Sequence, residues 1–249
     1  MAAAPRIALV QMRMRPDGAG QVQGILAELA RAAQAGAQLC VFPELALPGF
    51  HRGIRAELNP ARLDGAVAQV AQAAAHHSLA CALGLAWPTG PSWHNALLLL
   101  DEQGQRCGLI AKQGLTPSEA TLFAAGPARA SWPLAGLSIS AVFCREVLDY
   151  PAGLPDLSPE LLLWPSFIRR ASDEVDYLPA ARAQARARAA PRLQCNWANS
   201  INHPEREGFG CSALIGADGR VQLQLPADAA GLALWQAGLA PEWLPAPQG

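Results

Sequence analysis

The chain has 249 residues, of which 51% are hydrophobic and 16% are charged. A chain of this length and apolar content buries a large core without metal or disulfide support, so its composition excludes a disordered protein. The formal net charge is −1. A near-neutral chain gives no overall electrostatic reason to bind nucleic acid or an anionic membrane.

The cysteines and the N-terminus point to a reducing compartment. Six cysteines are scattered with no CxxC pair, which is not the pattern of a disulfide framework or a zinc site. The opening "MAAAPRIALVQM" lacks the charged and then long apolar regions of a signal peptide. The longest apolar runs, such as "NALLLLDE", are too short to span a bilayer. We therefore expect a cytoplasmic protein with reduced thiols.

Short apolar runs alternate with longer alanine-rich stretches in the first part of the chain. Strand-like runs cover 6–11, 37–44 and 79–87, and helical periodicity covers 20–36 and 61–78. Strand, helix, strand, helix, strand is the order typical of an α/β layer fold.

The second part of the chain continues the alternation and adds two hairpins. The hairpins are predicted at 95–112 and 210–225, strands at 136–144, 160–166 and 193–200, and a helix at 172–190. No compositional break or tandem repeat interrupts the chain. We therefore predict one domain over residues 1–249, with a proline-rich, irregular tail at 225–249.

Three polar residues follow apolar strands at the point where each strand ends. Glu44 ends "CVFPE", Lys112 ends "GLIAK" and Cys144 ends "SAVFC". Ligand sites of α/β sheets lie beyond the carboxyl ends of strands. A carboxylate there can take the proton of a thiol, and an ammonium group can hold the charge on an attacked carbonyl oxygen. Cys144 also precedes a predicted helix, whose dipole would favour thiolate by ~0.3–1 kcal/mol.

Each of these residues also has an ordinary interpretation. A cysteine after an apolar strand is commonly a packed small hydrophobe. Glu44 could be a loop residue after Pro43, and Lys112 a solvated charge. The recurrence of polar residues at one structural position favours a site.

Several stretches resemble the nitrilase, or carbon–nitrogen hydrolase, superfamily, and its amidase-like branch in particular. "GAQLCVFPELALPGF" is similar to the segment that carries the family's catalytic glutamate, "GLIAKQGLTPSEATLFAAG" to its lysine motif, and "ISAVFCREVLDYP" to its nucleophile motif. "RIALVQ", "NALLLLDEQG", "LLLWPSF" and "GCSALIGADGRV" resemble further landmarks in the same order. The resemblance covers roughly residues 6 to 225.

The resemblance implies a four-layer α-β-β-α sandwich and a catalytic set. Cys144 would be the nucleophile and Glu44 the general base. Lys112 and the Arg145 N–H would stabilise the oxyanion, and Glu119 would orient Lys112 or the substrate amide. No metal or organic cofactor is required. The implied reaction cleaves the C–N bond of a small amide through a thioester, releasing ammonia or an amine.

The resemblance also implies substrate-binding positions. Trp164, Ser166 and Phe167 follow a strand where family members often place pocket residues, and we expect one of the three to line the pocket. Family members usually have an uncharged residue where this chain has Arg145. Its side chain could pair with a substrate carboxylate, or it could point away so that only its amide matters.

Two alternatives to the amidase remain at this stage: a nitrilase acting on a small nitrile, and a non-catalytic binding or assembly protein with the same fold. No histidine has a carboxylate or cysteine at metal-ligand spacing, so no metal site is expected. Four arginines near the predicted helix at 172–190 suggest a solvated face or a subunit contact: Arg182, Arg186, Arg188 and Arg192. Members commonly dimerise, and we expect at least a homodimer.

Two departures from the family pattern stand out. Relatives often carry a glutamate late in the helix before "LQCNWANS", where this chain has "RARAAPRLQ". The chain is also short after residue 225, where relatives often continue into a tail exchanged between subunits. These departures concern pocket shape and assembly rather than the catalytic set.

Overall fold

The structure, a computed structural model, describes residues 4–149, 157–170 and 175–247. The strands in these ranges are β1 (Ile7–Gln11), β2 (Leu39–Val41), β3 (Ala80–Thr89), β4 (Ser92–Leu100), β5 (Arg106–Ala111), β6 (Trp132–Leu134), β7 (Leu137–Ala141), β8 (Leu161–Ser166), β9 (Arg192–Asn196), β10 (Ala213–Ile215), β11 (Val221–Gln224), β12 (Gly231–Trp235) and β13 (Glu242–Pro245). The helices are α1 (Gly18–Gln34), α2 (Ile54–Glu57), α3 (Pro60–His77), α4 (Glu146–Asp149) and α5 (Leu178–Arg188), with a 3₁₀ turn at Glu119–Thr121.

The strands form two sheets. The first has the order β13-β12-β1-β2-β3-β4-β5, and the second has the order β11-β10-β9-β8-β7-β6. The central strands β1, β2 and β3 are parallel, as are β7, β8 and β9, and the outer strands pair antiparallel. Because β4 and β5 form a hairpin after β3, β5 runs in the same direction as β2.

The two sheets pack face to face between helical layers. Leu9 and Val41 of the first sheet meet Leu163 and Cys195 of the second in one buried cluster. Helices α1 and α3 cover the outer face of the first sheet, and α5 covers the outer face of the second. The central strands β1, β2, β8 and β9 are therefore buried on both faces, which explains the nearly continuous apolar runs in the sequence. The predicted four-layer α-β-β-α sandwich is confirmed.

The first-sheet helices follow from their caps and apolar spacing. The Asp17 carboxylate accepts a hydrogen bond from the Gly20 N–H at 2.7 Å at the start of α1. The Asn59 side chain caps α3 in the same way, with Pro60 following it. In α1, Val22, Ile25 and Leu29 recur at helical spacing and are buried.

The helix predicted at 172–190 is shorter in the structure. Residues 172–174 lie outside the described residues, and α5 begins only at Leu178, with Pro179 in its first turn. A proline suits that position because its missing N–H would have no helical acceptor there. The helix ends at Arg188, and the next residue, Ala189, has φ +50°.

The prediction that Arg192 lies on a solvated helix surface is wrong. Arg192 opens β9 and is fully buried, and its Nη2 donates to Gln184 Oε1 at 2.6 Å. Burial, and secondarily the charge of Arg188, lowers its pKa to about 9. The sequence places Arg192 beyond the end of α5, so the helical spacing of the other arginines does not extend to it.

The prediction of an irregular tail over 225–249 is also wrong. β12 pairs antiparallel with β1 in register from Ile7↔Trp235 to Gln11↔Gly231, and β13 pairs with β12. Without these strands β1 would be an open sheet edge with unpaired N–H and C=O groups. The C-terminal segment forms strands, despite its prolines, because β12 pairs with the edge of β1 and β13 pairs with β12. Residues 248–249 lie outside the described residues.

One glycine allows the loop after β2 to approach β3. A Cβ on Gly84 would lie 2.0 Å from the Pro43 carbonyl oxygen, so only glycine fits there. The Leu47 N–H donates to the Gly84 carbonyl at 3.0 Å, and the Ala86 N–H donates to Leu47 O at 2.9 Å. The loop that carries Glu44 is therefore held against β3 by backbone contacts.

Candidate active site

Side chains from both sheets meet at one end of the sandwich. Glu44 follows β2 and Lys112 follows β5, and the carboxyl ends of these strands lie at the same edge of the first sheet. Cys144 follows β7 of the second sheet. A cavity of about 560 Å³ opens at this edge and is lined by Lys112, Glu119 and Cys144, among others. The three strand ends predicted to form a site are thus brought together.

The base of the site is a buried set of charges. Lys112 Nζ lies 2.8 Å from Glu44 Oε1 and 2.5 Å from Glu119 Oε1. Asn95 Nδ2 donates to Glu44 Oε1 at 2.8 Å and to Glu119 Oε1 at 3.4 Å. Glu44, Lys112 and Asn95 are at most 1% exposed. Two carboxylates share one ammonium group, so the set is net negative when all three are ionised.

The buried charges shift one another's pKa values. Burial raises the pKa of Glu44, against the opposing effect of Lys112. Burial by itself would lower the pKa of Lys112, but Glu44, Cys144 and Glu119 together raise it overall. The site therefore holds a charged ammonium group next to a carboxylate whose pKa is raised above its ordinary value.

The two carboxylate oxygens of Glu44 differ in their hydrogen bonding. Oε1 accepts from both Lys112 and Asn95, whereas Oε2 is buried with no hydrogen-bond partner among the described residues. A buried carboxylate oxygen left without a donor is unusual and calls for an explanation. A group that takes and returns a proton requires such an open oxygen.

Lys112 is the only lysine in the 249-residue sequence. All the other side chains that carry a permanent positive charge are arginines. Permanent positive charge at the surface is therefore supplied by arginine. The single lysine is instead buried between two carboxylates. An ammonium group is a compact charge on a flexible stem, which suits close contact with two carboxylates at once.

Cys144 lies on a tight turn beneath the cavity. Its φ is +43°, a left-handed conformation rarely adopted by residues other than glycine. Its N–H donates to the Pro165 carbonyl at 2.9 Å, and its Sγ lies 3.7 Å from the Phe167 carbonyl oxygen. The turn is therefore fixed by β8 and the residues after it, and it presents a half-buried sulfur to the cavity.

The helix dipole does not make Cys144 a thiolate in the resting protein, because stronger effects oppose it. Burial, with the neighbouring Glu44 charge, raises the pKa of Cys144 to about 12, and Lys112 only partly opposes this shift. The helix that follows, α4, has four residues and a correspondingly weak dipole. At neutral pH the sulfur is a thiol, and it needs a base to become a nucleophile.

A second buried ion pair joins the cysteine turn to the lysine loop. Glu146 Oε1 accepts from the N–H groups of Gln113 and Gly114, both at 2.7 Å, while Oε2 accepts from the Phe143 N–H at 2.8 Å. Arg129 Nη2 donates to both oxygens at 2.8 and 3.0 Å. Glu146 thus connects the residues next to Lys112 with the residue before Cys144, and it fixes their relative position.

Of the three predicted pocket residues, only Phe167 lines the cavity. This agrees with the expectation that one of the three would line the pocket. The other two candidates for substrate binding, Trp164 and Ser166, do not reach it, because both are fully buried in β8. Trp164 Nε1 donates to the Cys144 carbonyl at 2.9 Å, and Ser166 Oγ donates to Trp164 O at 3.1 Å. Trp164 therefore supports the cysteine turn from below.

Arg145 lines the cavity, and its side chain is 45% exposed. Its Nε lies 3.4 Å from Asp149 Oδ2, an exposed pair one helical turn apart. The Arg145 backbone N–H donates to no acceptor among the described residues, so it is available to a ligand. The structure is compatible with both roles considered for Arg145, at the amide and at the guanidinium.

Three buried residues of the site were not predicted from the sequence: Asn95, Arg129 and Glu146. Asn95 interrupts an apolar strand in "WHNALLLL", and a buried amide in such a run signals a polar partner. Glu146 follows Cys144 by two residues, so it lies within the quoted nucleophile motif. Nothing in the local sequence of Arg129, in "GPARASW", distinguishes it from a surface arginine.

The described residues form neither a metal-binding cluster nor a membrane-spanning helix. No three His, Cys, Asp or Glu side chains in these ranges cluster in a way that would hold a metal ion. No helix in the same part of the chain has the length and apolar character needed to cross a membrane.

The fold and site define a class, an α-β-β-α sandwich with a cysteine above a buried lysine–carboxylate set. Comparison with known proteins identifies the same class. The sequence profile of the carbon–nitrogen hydrolase family matches residues 6–148, more than half of the chain. The chain therefore belongs to the carbon–nitrogen hydrolase family, and it is an enzyme of that kind. No curated protein matches it significantly in sequence.

Solved structures show the same relationship over the whole length. An amidase from Nesterenkonia sp. is 25% identical, covers 98% of this chain and 92% of its own, and has a TM-score of 0.82. A variant of the Nesterenkonia sp. AN1 amidase, with its cysteine replaced by alanine, is in complex with butyramide, with the same identity, coverage and TM-score. Another variant of that amidase shows Michael addition of acrylamide at its active-site cysteine. It is 25% identical, covers 92% of this chain and 91% of its own, and has a TM-score of 0.81.

Proposed function

We propose that this carbon–nitrogen hydrolase cleaves a small amide through a thioester on Cys144, releasing ammonia or an amine. One observation carries the proposal. The only lysine of the chain is buried between Glu44 and Glu119 at the base of the cavity that Cys144 lines, and Glu44 keeps one oxygen unpartnered. A structural ion pair would have no use for an open carboxylate oxygen.

In the first half-reaction, Glu44 Oε2 takes the proton of the Cys144 thiol as the sulfur attacks the amide carbonyl carbon. Base assistance is required because the pKa of Cys144 is raised to about 12. Glu44 then gives this proton to the leaving nitrogen. The C–N bond breaks, the amine departs, and the acyl group remains on the sulfur as a thioester. The raised pKa of Glu44 suits a group that works in both directions.

The negative charge on the tetrahedral intermediate needs donors. Lys112 Nζ and the Arg145 N–H both face the cavity in this proposal, and removing one such donor typically lowers the rate by roughly a hundredfold or more. Glu119 is a positioning residue, because its contact with Lys112 holds the ammonium group in place.

In the second half-reaction, Glu44 takes a proton from water, which attacks the thioester carbonyl. The C–S bond breaks, the carboxylic acid leaves, and the proton returns to the sulfur. One amide and one water thus give one acid and one ammonia or amine. We name amides rather than nitriles because the solved relatives above are amidases.

The proposal is tested with butyramide and butyronitrile, measuring the ammonia released by the purified protein. We expect release from butyramide, an acyl adduct on Cys144 detectable by intact-protein mass, and loss of both in Cys144→Ala. Cys211→Ala is the matched control, since Cys211 is also half-buried but does not line the cavity. Ammonia release that survives Cys144→Ala contradicts the covalent route, and release from the nitrile alone assigns a nitrilase.

A further inference from the structure

The rim of the active-site cavity carries a group of arginines. Arg52, Arg55 and Arg145 line the 560 Å³ cavity and are exposed, whereas Lys112 and Glu119 at its base are buried. A second cavity of about 310 Å³ adjoins it and contains Arg52, with Arg169 and Arg206 also on its wall. The two cavities share Arg52, Phe167 and Asn202, so they form one continuous opening.

The charge around this opening is unbalanced. Among the described residues that line the two cavities, Glu119 is the one carboxylate, and it is bound to Lys112 at 2.5 Å. The chain as a whole has a net charge of −1. The arginines at the rim are therefore a local concentration rather than a sign of a basic protein. Asp149 and Glu205 lie next to Arg145 and Arg206 and offset part of their charge. The positive potential at the mouth of the cavity therefore comes mainly from Arg52 and Arg55.

Arg52 is held in place by a second loop. Its backbone N–H donates to Asn202 Oδ1 at 2.8 Å, and its Nη2 lies 2.9 Å from His203 Nε2. A guanidinium can only donate, so Nε2 accepts and the Nδ1–H faces Glu205 Oε1 at 3.3 Å. The Asn202 amide also donates to the Phe50 carbonyl at 3.3 Å. The guanidinium is thus oriented before any ligand arrives.

Aromatic and aliphatic side chains form part of the cavity wall. Phe50 and Phe167 meet edge to face with ring centroids 4.9 Å apart, and Phe167 stacks on Phe209 at 5.3 Å. Ile54 and Phe123 also line the cavity. The cavity thus presents a ligand with reactive polar groups, hydrocarbon and arginines. The cavity is also much larger than a simple amide of four or five heavy atoms requires.

We infer that the substrate is an amide with a carboxylate at the far end of a short alkyl chain, the ω-amide of a dicarboxylic acid, and that Arg52 binds this carboxylate. Arg55 and Arg145 add to the attraction from the same rim. A guanidinium fork matches a carboxylate in a bidentate geometry. The inference rests on the proposed amidase function, which it deepens by naming the second group of the substrate.

Kinetics with matched substrates test the inference. Succinamate and glutaramate, the monoamides of four- and five-carbon diacids, are compared with butyramide by kcat/KM. We expect the acids to be preferred at least about tenfold, and Arg52→Gln to lower that ratio by roughly tenfold or more. Arg220→Gln removes the same charge from an exposed turn outside both cavities and should leave the ratio unchanged. Equal ratios in the two variants, or a preference for butyramide, overturn the inference.

Binding separates the inference from the proposed function. In Cys144→Ala, calorimetry with succinamate should detect binding that the additional Arg52→Gln change weakens by about tenfold. If binding depends on Arg52 but the parent protein turns over neither succinamate nor butyramide, the carboxylate site is supported and the amidase is contradicted. Turnover of butyramide without Arg52-dependent selectivity supports the amidase and contradicts the carboxylate site. If inorganic phosphate competes more strongly than succinate, the rim recognises a phosphate group and the carboxylate assignment is wrong.

Discussion

At the scale of single residues, the site depends on carboxylates and an ammonium group removed from water together. Glu44 and Glu119 share Lys112, and each shifts the protonation of its neighbours. The thiol of Cys144 responds to the same surroundings, because burial and the Glu44 charge hold it protonated. The chemistry thus belongs to the set, and no one of its members would have these properties at the surface.

The pH dependence of kcat/KM for a neutral amide should follow from these shifts. Activity requires ionised Glu44, so it falls as the pH drops through a pKa above the ordinary 4.5. No decline is expected below ~pH 10, since Lys112 stays charged and Cys144 stays a thiol. Glu44→Gln should lower kcat/KM by roughly 10²–10⁴. Glu28→Gln, at another carboxylate with a raised pKa, should leave the acid limb in place.

The charge state of Lys112 can be measured directly, because no other lysine is present. Protein labelled with ¹⁵N-lysine should give one side-chain Nζ signal. We expect the chemical shift of an ammonium group at pH 10.5, where an ordinary lysine is half deprotonated. Glu119→Gln removes one of the negative neighbours and should lower the midpoint. Titration of the parent protein near or below 10.5 contradicts the buried, doubly paired arrangement.

At the scale of elements, the site is assembled by connections between loops rather than by one motif. Gly84 lets the Glu44 loop lie against β3. Trp164 supports the Cys144 turn from β8. Glu146 ties that turn to the loop after β5 and is itself clamped by Arg129. The relative position of nucleophile and lysine is therefore set by contacts between elements of different sheets.

Breaking this clamp should affect both stability and activity. Removing one partner of a buried ion pair leaves the other uncompensated, so Glu146→Gln should lower the free energy of unfolding by about 3–5 kcal/mol. It should also lower kcat, because the cysteine turn loses its tie to the lysine loop. Urea unfolding and steady-state kinetics measure the two effects.

The control for the clamp is a surface ion pair. Glu242→Gln removes an exposed partner of Arg6, and it should change the free energy of unfolding by at most about 1 kcal/mol and leave kcat unaltered. If Glu146→Gln costs no more than this control, Glu146 is not a positioning residue.

At the scale of the whole molecule, the two sheets form one core and the C-terminal strands complete the first of them. Ala233 and Trp235 of β12 belong to the buried cluster between the sheets. β12 also covers the edge of β1, which lies next to the strand that leads to Glu44. The segment after residue 225 is therefore part of the fold. Assembly into a homodimer stays a prediction, which gel filtration with light scattering tests.

Two truncations should separate the contributions of the last strands. A chain ending at Ala230 loses β12 and β13, and it should be found mostly in the insoluble fraction because the β1 edge and core surface become exposed. A chain ending at Ala240 keeps β12 and should remain soluble with a lower Tm. Soluble yield and thermal unfolding measure the outcomes. A soluble, cooperatively folded chain ending at Ala230 would contradict this role for β12.

The sequence alone determined the order of the main strands and helices before the two C-terminal strands, and the strand ends that carry Glu44, Lys112 and Cys144. Periodicity and strand-terminal polar residues are local properties, so they can be recognised without coordinates. Only the tertiary structure decided that Asn95 bridges two carboxylates, that Glu146 pairs with Arg129, and that burial keeps the thiol protonated. These features depend on which residues become neighbours across two sheets and how much water is excluded between them. Arg52 and His203 are 151 positions apart in the chain, and no local pattern connects them.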